Sequence, residues 1–183
     1  MRHLTTTELE SQLEHLRASP RAQGSLGLVV RRPAARQREI LTEGVLDPEH
    51  GLVGDDWVAR GRRRGKVTAS YAARSITLMN QRMAIVLSAD VDDQALAGDQ
   101  LYVDLDLSID NLPPGSRLAV GDTAVIELTK YPHTGCAKFV ERFGGDAARF
   151  VNGPEGRPLR LRGANGTVVV GGTVRVGDTV RKV

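Results

Sequence analysis

The sequence predicts a mainly β fold: a closed or nearly closed β-barrel with a few short helices, preceded by an N-terminal amphipathic helix. From Gly24 onward, short segments rich in β-branched residues alternate with Gly, Pro and Asp turns, as is typical of all-β domains. The segment 101–107 alternates apolar and polar residues, which indicates a half-buried strand. Because closure removes exposed strand edges, many short strands favour a barrel.

Residues 7–17 carry the signals of a short amphipathic helix. Thr7 and Glu10 have the spacing of a capping box, and a Ser-Pro pair at 19–20 ends the run. Leucines recur on one helical face, at positions 9, 13 and 16. We expect this helix to pack against the barrel or to contact a partner.

The remaining predicted strands are short and separated by turns. Residues 76–79 and 83–87 fit either a strand or a helix, because their periodicity does not decide between the two. Residues 51–66 form an irregular segment around Trp57, the only tryptophan. The other predicted strands are 26–31, 39–46, 118–120, 124–128, 166–170, 173–176 and 179–183.

Composition is that of a single-domain globular protein. The 183 residues are 40% hydrophobic and 26% charged, which are ordinary values for a chain with a buried core. We divide it into an N-terminal helix and linker, residues 1–23, and a barrel domain, residues 24–183. No apolar run reaches the roughly eighteen residues that cross a bilayer, and the acidic opening segment is unlike a signal peptide. We therefore expect a cytoplasmic protein without a membrane partner.

Charge is unevenly distributed along the chain. The net charge is +3, with a basic run at Arg60–Lys66 and many aspartates between Asp90 and Asp110. A basic run this short is typical of a solvated loop, and no aromatic residue interleaves with its arginines for base stacking. Nucleic acid is therefore not an expected partner, and the aspartates lack the spacing of a calcium-binding loop.

The stretch 131–143 holds the only cysteine, Cys136, between a predicted strand and a predicted helix. Apolar residues at i, i+1 and i+4 mark that helix, and the Gly pair at 144–145 ends it. Asp146 would then cap a second short helix. The cysteine is thus predicted to lie at a strand-to-helix turn.

A cysteine at such a turn is suited to sulfur or metal chemistry. Helix N–H groups and nearby cations favour the thiolate, which is both a nucleophile and a soft metal ligand. The alternative is a buried cysteine that acts as a small apolar residue. A single cysteine excludes an internal disulfide and any all-cysteine metal cage or iron–sulfur cluster built from this chain alone, and it fits a reducing compartment.

Several short motifs occur in the order found in MOSC domains, which are named for the C-terminal domain of molybdenum-cofactor sulfurases. The chain resembles this family over nearly everything after residue 24, with Cys136 at the position of the family cysteine. The resemblance implies a barrel of MOSC type and a small stand-alone member. The motifs are GLVGDDW (51–57), ITLMNQR (76–82), GDQL (98–101), NLPPGSRLAVGD (111–122), CAKF (136–139) and VGD (176–178).

The resemblance implies that Cys136 handles the sulfur or the metal of the molybdenum cofactor (molybdenum–molybdopterin). Its thiolate would either accept a persulfide sulfur and pass it on, or ligate molybdenum beside the dithiolene sulfurs of the pterin. Soft donors suit this metal in both roles. Since the chain has no pyridoxal-phosphate lysine motif, its sulfur would come from a partner desulfurase that carries pyridoxal phosphate.

The cofactor ends in a phosphate, so a binding site needs cations or backbone N–H groups. Lys138 and Arg142 share a helical face one turn from Cys136, and we expect them to bind it. His133 would hydrogen-bond the thiolate or act as an acid–base partner near neutral pH. The alternative for each residue is a solvated charge or a hydrogen-bonded turn histidine. Further candidates in and beside the motif at 76–82 are Arg74, Asn80 and Arg82.

The chain departs from the family pattern at two positions. KVTASY at 66–71 stands where many small relatives carry a His-rich Gly segment, and Gly135 replaces the proline that often precedes the cysteine. The inserted domain of larger relatives, which reduce N-hydroxylated compounds, is also absent. These departures leave open what the segment 51–72 does.

Three functions are compatible with the sequence. The first is a protein that binds a molybdenum–pterin cofactor or carries its sulfur through Cys136, as a sulfur transferase or a molybdenum-dependent oxidoreductase. The second is a small molybdenum-dependent reductase of N-hydroxylated compounds that works with a separate electron-transfer protein. The third is a non-catalytic β-barrel binding module.

Overall fold

The computed structural model describes residues 2–63, 65 and 68–183, and its strands form two sheets. Arg64 and Lys66 of the predicted basic run lie outside the described residues. In chain order the strands are β1 (Gln23–Arg31), β2 (Glu39–Leu41), β3 (Glu43–Asp47), β4 (Gly51–Leu52), β5 (Ile76–Asn80), β6 (Leu101–Asp104), β7 (Arg117–Val120), β8 (Ala124–Pro132), β9 (Ala164–Val170), β10 (Gly172–Arg175) and β11 (Thr179–Lys182).

In the described part of the chain, seven strands close into a barrel, which confirms the predicted fold class. Their order around the ring is β1, β11, β7, β8, β9, β5 and β6, and β6 pairs again with β1. Strand β1 closes the ring because its first residues pair with β11 and its middle pairs with β6. The parallel pair β5–β6 requires a crossover connection, and two short helices supply it.

The prediction of one strand over residues 39–46 is wrong, because this segment forms two strands, β2 and β3. Strand β2 pairs with β1 at the barrel, whereas β3 belongs to a second sheet of order β10-β3-β4. The chain changes sheets at Thr42, whose carbonyl accepts a hydrogen bond from the Val176 N–H at 2.9 Å. The run of strand-forming residues continues through this bend, so only the pairing reveals it.

The helices lie outside the barrel wall. The predicted N-terminal helix is two short helices, and its capping box is formed by Thr5 and Glu8 instead of Thr7 and Glu10. None of the helices in the described residues is both long and apolar enough to cross a bilayer. They are α1 (Thr6–Glu10), α2 (Leu13–Arg17), α3 (Trp57–Arg63), α4 (Ala69–Ala72), α5 (Gln81–Leu87), α6 (Val91–Ala95) and α7 (Ala137–Asn152).

Helix α7 is interrupted where the sequence predicts a helix end, and it resumes at once. Gly144 has a left-handed φ of 88°, which glycine adopts without steric cost. A second helical segment follows this kink, as the sequence predicts, but Asp146 lies inside the segment instead of capping it: its carboxylate accepts a hydrogen bond from the Thr6 N–H at 2.9 Å. Asp146 therefore connects α1 to α7.

Two apolar cores lie on opposite faces of the barrel wall. Leu101 and Val103 of β6 belong to the core inside the barrel, whereas Tyr102 belongs to the core under the helices. In that second core Phe139 and Phe143 of α7 pack with ring centres 4.8 Å apart. These contacts anchor the first turns of α7 to the wall.

The substitution Gly24→Ala tests the closure of the barrel. A Cβ at this position would lie 1.7 Å from the Asp104 carbonyl oxygen, so β1 and β6 would have to move apart. We expect the free energy of unfolding to fall by about 1–3 kcal/mol, the range for overpacking, as measured by urea denaturation. The control Ser25→Ala, at the next and exposed position of β1, should change it by less than about 0.5 kcal/mol. Equal stabilities of the two variants would contradict this closure geometry.

Candidate functional site

Cys136 lies between β8 and α7, at the strand-to-helix junction expected from the sequence. It is the N-cap residue of α7 and has an extended backbone, with φ −104° and ψ 178°. Its carbonyl accepts hydrogen bonds from the N–H groups of Phe139 at 2.8 Å and Val140 at 3.1 Å. The residue is exposed, so the alternative of a buried apolar cysteine is wrong.

The start of α7 favours the thiolate form of Cys136. Partial burial raises the pKa of the thiol, but the backbone N–H groups of Phe139 and Lys138 and the charge of Arg162 outweigh this effect and lower the pKa below its ordinary value. Both N–H groups belong to the first turn of α7, where the positive end of the helix dipole favours an anion. A larger fraction of Cys136 is therefore ionised at neutral pH than of an ordinary cysteine.

Cys136 lines a pocket of about 230 Å³ together with Lys138 and two aromatic residues, Trp57 and Phe139. Of the described residues in its wall, none is acidic. Several positive side chains therefore face the cavity, and no described carboxylate in its wall neutralises them. This arrangement makes the pocket attractive to anions. Its arginines are Arg32, Arg36, Arg38, Arg60, Arg142 and Arg162; we call this cavity the Cys136 pocket.

The buried carboxylate of Asp55 forms an ion pair with Arg32 on the interior side of the pocket wall. Arg32 Nε and Nη2 donate to the two oxygens of Asp55 at 2.7 and 2.9 Å, and Nη1 donates to the Gly98 carbonyl at 2.9 Å. A pair with two parallel hydrogen bonds fixes the plane of the guanidinium. The Arg32 guanidinium also lies 5.9 Å from the centre of the Trp57 ring. This part of the wall is therefore preorganised.

A second buried pair joins Arg162 to Asp99. Arg162 Nη1 donates to Asp99 Oδ2 at 2.6 Å and Nη2 donates to the Ala97 carbonyl at 2.9 Å. Burial opposes ionisation of Asp99, but Arg162 and His133 outweigh it and hold the pKa of Asp99 at about 2. The guanidinium carbon of Arg162 lies 5.0 Å from the Phe139 ring centre. Arg162 thereby connects the buried carboxylate to the first turn of α7.

His133 contacts the same carboxylate, that of Asp99. Its Nδ1 is 3.2 Å from Asp99 Oδ1, and its side chain is 18% exposed. Burial, followed by the charge of Arg162, lowers the pKa of His133, and Asp99 only partly opposes this shift. His133 is therefore a neutral imidazole at neutral pH, with its Nδ1 turned to Asp99 and Nε2 as the nitrogen left for another partner.

Arg38 and Arg142 meet over Gly98. Burial, and then the charges of Arg142 and Arg32, lower the pKa of Arg38. A Cβ at position 98, where φ is +89°, would lie 3.1 Å from Arg38 Nη2 and 3.9 Å from Arg142 Nη1. Glycine at this position lets the two guanidinium groups approach the backbone, and Arg38 Nε is buried with no hydrogen-bond partner among the described residues.

Asn80, predicted to bind the cofactor, lies away from the Cys136 pocket. Its side chain caps α5 by accepting a hydrogen bond from the Met83 N–H at 3.3 Å. Its amide donates to Ser19 Oγ and to the Leu105 carbonyl, both at 2.9 Å. These three bonds occupy the polar atoms of a side chain in a buried residue, 4% exposed.

Arg82 and Arg74 also lie outside the wall of the Cys136 pocket. Arg82 Nε donates to Asp104 Oδ1 at 2.7 Å. Arg74 Nε donates to the Ser70 carbonyl at 2.8 Å, and its guanidinium carbon lies 5.4 Å from the Tyr131 ring centre. Of the predicted site residues, the structure brings His133, Lys138 and Arg142 together with Cys136.

Sequence reasoning missed Arg32, Arg38 and Arg162, and it assigned Arg60 to a solvated loop. Arg32 follows β1, and Arg162 comes just before β9, so no spacing in the sequence relates them to α7. One signal was present: Asp99 belongs to the motif at 98–101, and a buried aspartate requires a cationic partner. Nothing local identifies Arg162 as that partner.

No group of three or more His, Cys, Asp or Glu side chains that could hold a metal ion occurs in the described residues. No protein-family model matches the chain, and no curated protein matches it. Comparison with known proteins therefore rests on solved structures.

Several solved structures share the fold at low sequence identity. YuaD from Bacillus subtilis is 14% identical with a TM-score of 0.54, over 86% of this chain and 94% of that one. YiiM from Escherichia coli is 17% identical with a TM-score of 0.53, over 87% of this chain and 69% of that one. A crystal structure titled only as a hypothetical protein is 19% identical with a TM-score of 0.59, over 88% of this chain and 68% of that one. At these identities the likeness concerns the fold alone, and it supports a MOSC-like fold.

Alkylation of Cys136 by iodoacetamide should have a pH midpoint below about 8.5, the ordinary cysteine pKa, with the urea-unfolded chain as the reference. Lys138→Pro removes one N–H that stabilises the thiolate, and proline is tolerated in a first helical turn. The matched variant Lys138→Gln removes only the side-chain charge. We expect the midpoint to rise more in Lys138→Pro than in Lys138→Gln. Equal midpoints would show that the helix N–H groups do not control the thiol.

The pair of Asp99 with Arg162 should make stability depend on acid pH. The pKa of Asp99 in the folded chain, about 2, lies below its ordinary 3.8, so the unfolded chain binds more protons between these values. The stability that Asp99 contributes is therefore complete above about pH 5 and is lost as the pH falls through 3.8 toward 2. Urea titrations across this range measure it.

Asp99→Asn should reduce the free energy of unfolding at pH 7 by about 3–5 kcal/mol, because it leaves Arg162 buried without its counter-charge. It should also flatten the acid decline. The control Asp110→Asn breaks an ion pair on exposed side chains and should change stability by less than about 1 kcal/mol. An acid decline in Asp99→Asn as steep as in the wild type would contradict this assignment.

Proposed function

We propose that this chain binds a molybdenum–pterin cofactor, or carries sulfur for it, through Cys136. One observation carries the proposal: an exposed thiol with a lowered pKa lines a pocket whose described wall has seven arginine and lysine side chains and no carboxylate. The MOSC-like fold and the order of the motifs around Cys136 support it. The combination of soft sulfur and fixed cations matches a cofactor that has both a metal and a phosphate.

The donors of the pocket fit the chemical groups of this cofactor. A phosphate requires cations and N–H donors, and Arg38, Arg142 and Lys138 would hold it. The Nε of Arg38 supplies a donor that no group in the described residues uses. Molybdenum accepts soft ligands, and the Cys136 thiolate is the soft ligand of this pocket. When bound, the cofactor would supply redox or sulfur chemistry at the metal.

The other residues of the pocket would orient and protect the reacting groups. Arg32 and Arg162, each held by a buried carboxylate, would keep the positive charge in place without reorganisation. Trp57 and Phe139 would exclude water from one side. His133, neutral and with Nδ1 against Asp99, would accept a proton at Nε2 and pass it on.

In the sulfur-carrier form, the Cys136 thiolate attacks the outer sulfur of a donor persulfide. A new S–S bond forms on Cys136 as the S–S bond of the donor breaks, and the donor cysteine leaves as a thiolate. The exchange is balanced without an added oxidant or reductant. The donor would be a separate desulfurase, and the arginines of the pocket would stabilise the persulfide anion.

A molybdenum-dependent reductase of N-hydroxylated compounds is the second candidate, and His133 favours it. Conversion of an N–OH group to N–H and water consumes two electrons and two protons. A neutral imidazole in the wall of the pocket can relay protons to such a reaction, whereas the electrons would come from a separate electron-transfer protein. The non-catalytic module is less well supported, because its expected inert thiol disagrees with the lowered pKa of Cys136.

Metal analysis of purified protein tests the proposal. Wild-type protein from a host that makes the cofactor should contain molybdenum, and Cys136→Ser should contain at least about tenfold less, as expected when a ligand is lost. The control Arg181→Gln removes an exposed charge outside the pocket and should leave the metal content unchanged. A pure sulfur carrier would lack molybdenum but show a one-sulfur mass adduct on Cys136 after incubation with a persulfide donor. Wild-type protein with neither property would disprove the proposed function.

A further inference from the structure

A second and larger pocket, of about 440 Å³, adjoins the Cys136 pocket. His133 and Arg162 line both cavities, so the two pockets share one wall. A volume of this size is within the range of small-molecule sites. The function proposed for Cys136 leaves this larger pocket without a role.

The wall of the larger pocket combines an apolar side with cations. Ile109 is 48% exposed, and it contributes to an apolar surface with Pro114, Val151 and Ala164. None of the described residues in this wall is acidic. The cations that line only this cavity are Lys130, Arg157 and Arg160.

No carboxylate among the described residues neutralises these three cations. In the described residues neither Lys130 nor Arg157 forms an ion pair, and the side chain of Arg160 donates only to the carbonyls of Leu107 at 3.2 Å and Leu112 at 2.6 Å. Burial lowers the pKa of Arg160, and no carboxylate opposes the shift. A carboxylate entering the pocket would therefore gain charge-assisted hydrogen bonds without displacing a protein anion.

The backbone of Arg160 is strained at this position. Its φ is +49°, and the only other non-glycine residue with positive φ in the described chain is Arg36, at +66° in the Cys136 pocket. Such conformations are uncommon for residues with a Cβ and concentrate at ligand sites. Each of the two cationic pockets thus contains one arginine held in an unfavourable backbone conformation.

We propose that the larger pocket binds a small organic acid with an apolar body. Arg157 and Arg160 pair with its carboxylate, and the body packs on the apolar side that Ile109 completes. Inorganic phosphate does not match this wall, because the apolar side offers it no hydrogen bond. The bound acid lies against His133, the residue shared with the Cys136 pocket. The inference concerns binding and does not depend on the cofactor or on the thiol.

Calorimetric titration with biphenyl-4-carboxylate and its uncharged analogue biphenyl-4-carboxamide tests the proposal, in the wild type and in Cys136→Ser. We expect the acid to bind both proteins alike and at least about fivefold more tightly than the amide, as a charge-assisted hydrogen bond predicts. The His133 ring resonances should shift on binding. Success here is thus independent of the function proposed for Cys136.

Two variants at exposed positions separate the contributions of charge and apolar contact. Arg157→Gln should weaken the acid about fivefold or more and leave the amide unchanged, whereas Ile109→Ser should weaken both. The control Arg181→Gln removes a charge from β11, outside this wall, and should have no effect.

Three results would overturn the proposal. They are equal affinity for the acid and the amide, competition by inorganic phosphate at the same concentrations as the acid, and equal effects of Arg157→Gln and Arg181→Gln. Circular dichroism of each variant establishes that it is folded before titration.

Discussion

A buried ion pair between Asp99 and Arg162 is the contact on which both pockets depend. Asp99 is fully buried and Arg162 is 5% exposed, so the burial of either charge would be costly without the other. The pair joins Asp99, in the loop after α6, to Arg162, which lies two residues before β9. His133 lies on the same carboxylate, and Arg162 covers Phe139 of α7. One interaction therefore sets the wall shared by the two cavities and supports the helix turn that carries Cys136.

The arrangement of charge explains how so many cations occupy one small space. The carboxylates of Asp55 and Asp99 lie behind Arg32 and Arg162, in the protein interior, and none of the described residues lining the open side is acidic. Attraction to the buried carboxylates offsets repulsion among the guanidinium groups, which is strong at low dielectric. The open side remains positive, and this field favours the thiolate of Cys136.

The extent to which the fold follows from sequence differs between elements. The alternating pattern of β6 and the turns between short strands suffice for a barrel, because both are local properties. Residues 39–46 have the composition of one strand, yet they divide between two sheets at Thr42, since a bend leaves the apolar pattern almost unchanged. The sequence also could not distinguish Thr7 from the true N-cap, Thr5, because each threonine has a glutamate three residues later.

The sequence alone determined the position of Cys136 at the start of a helix, and with it the proximity of His133, Lys138 and Arg142. These residues lie within one short stretch of the chain: helix geometry fixes Lys138 and Arg142 relative to the N-cap Cys136, and His133 is only three residues before it. Tertiary structure alone decided that Arg32, Arg38 and Arg162 join them, and that the amide of Asn80 bonds to Ser19 and Leu105, away from the pocket. The physical reason is that these arginines belong to segments far from Cys136 in the sequence. Only closure of the barrel brings those segments next to the start of α7.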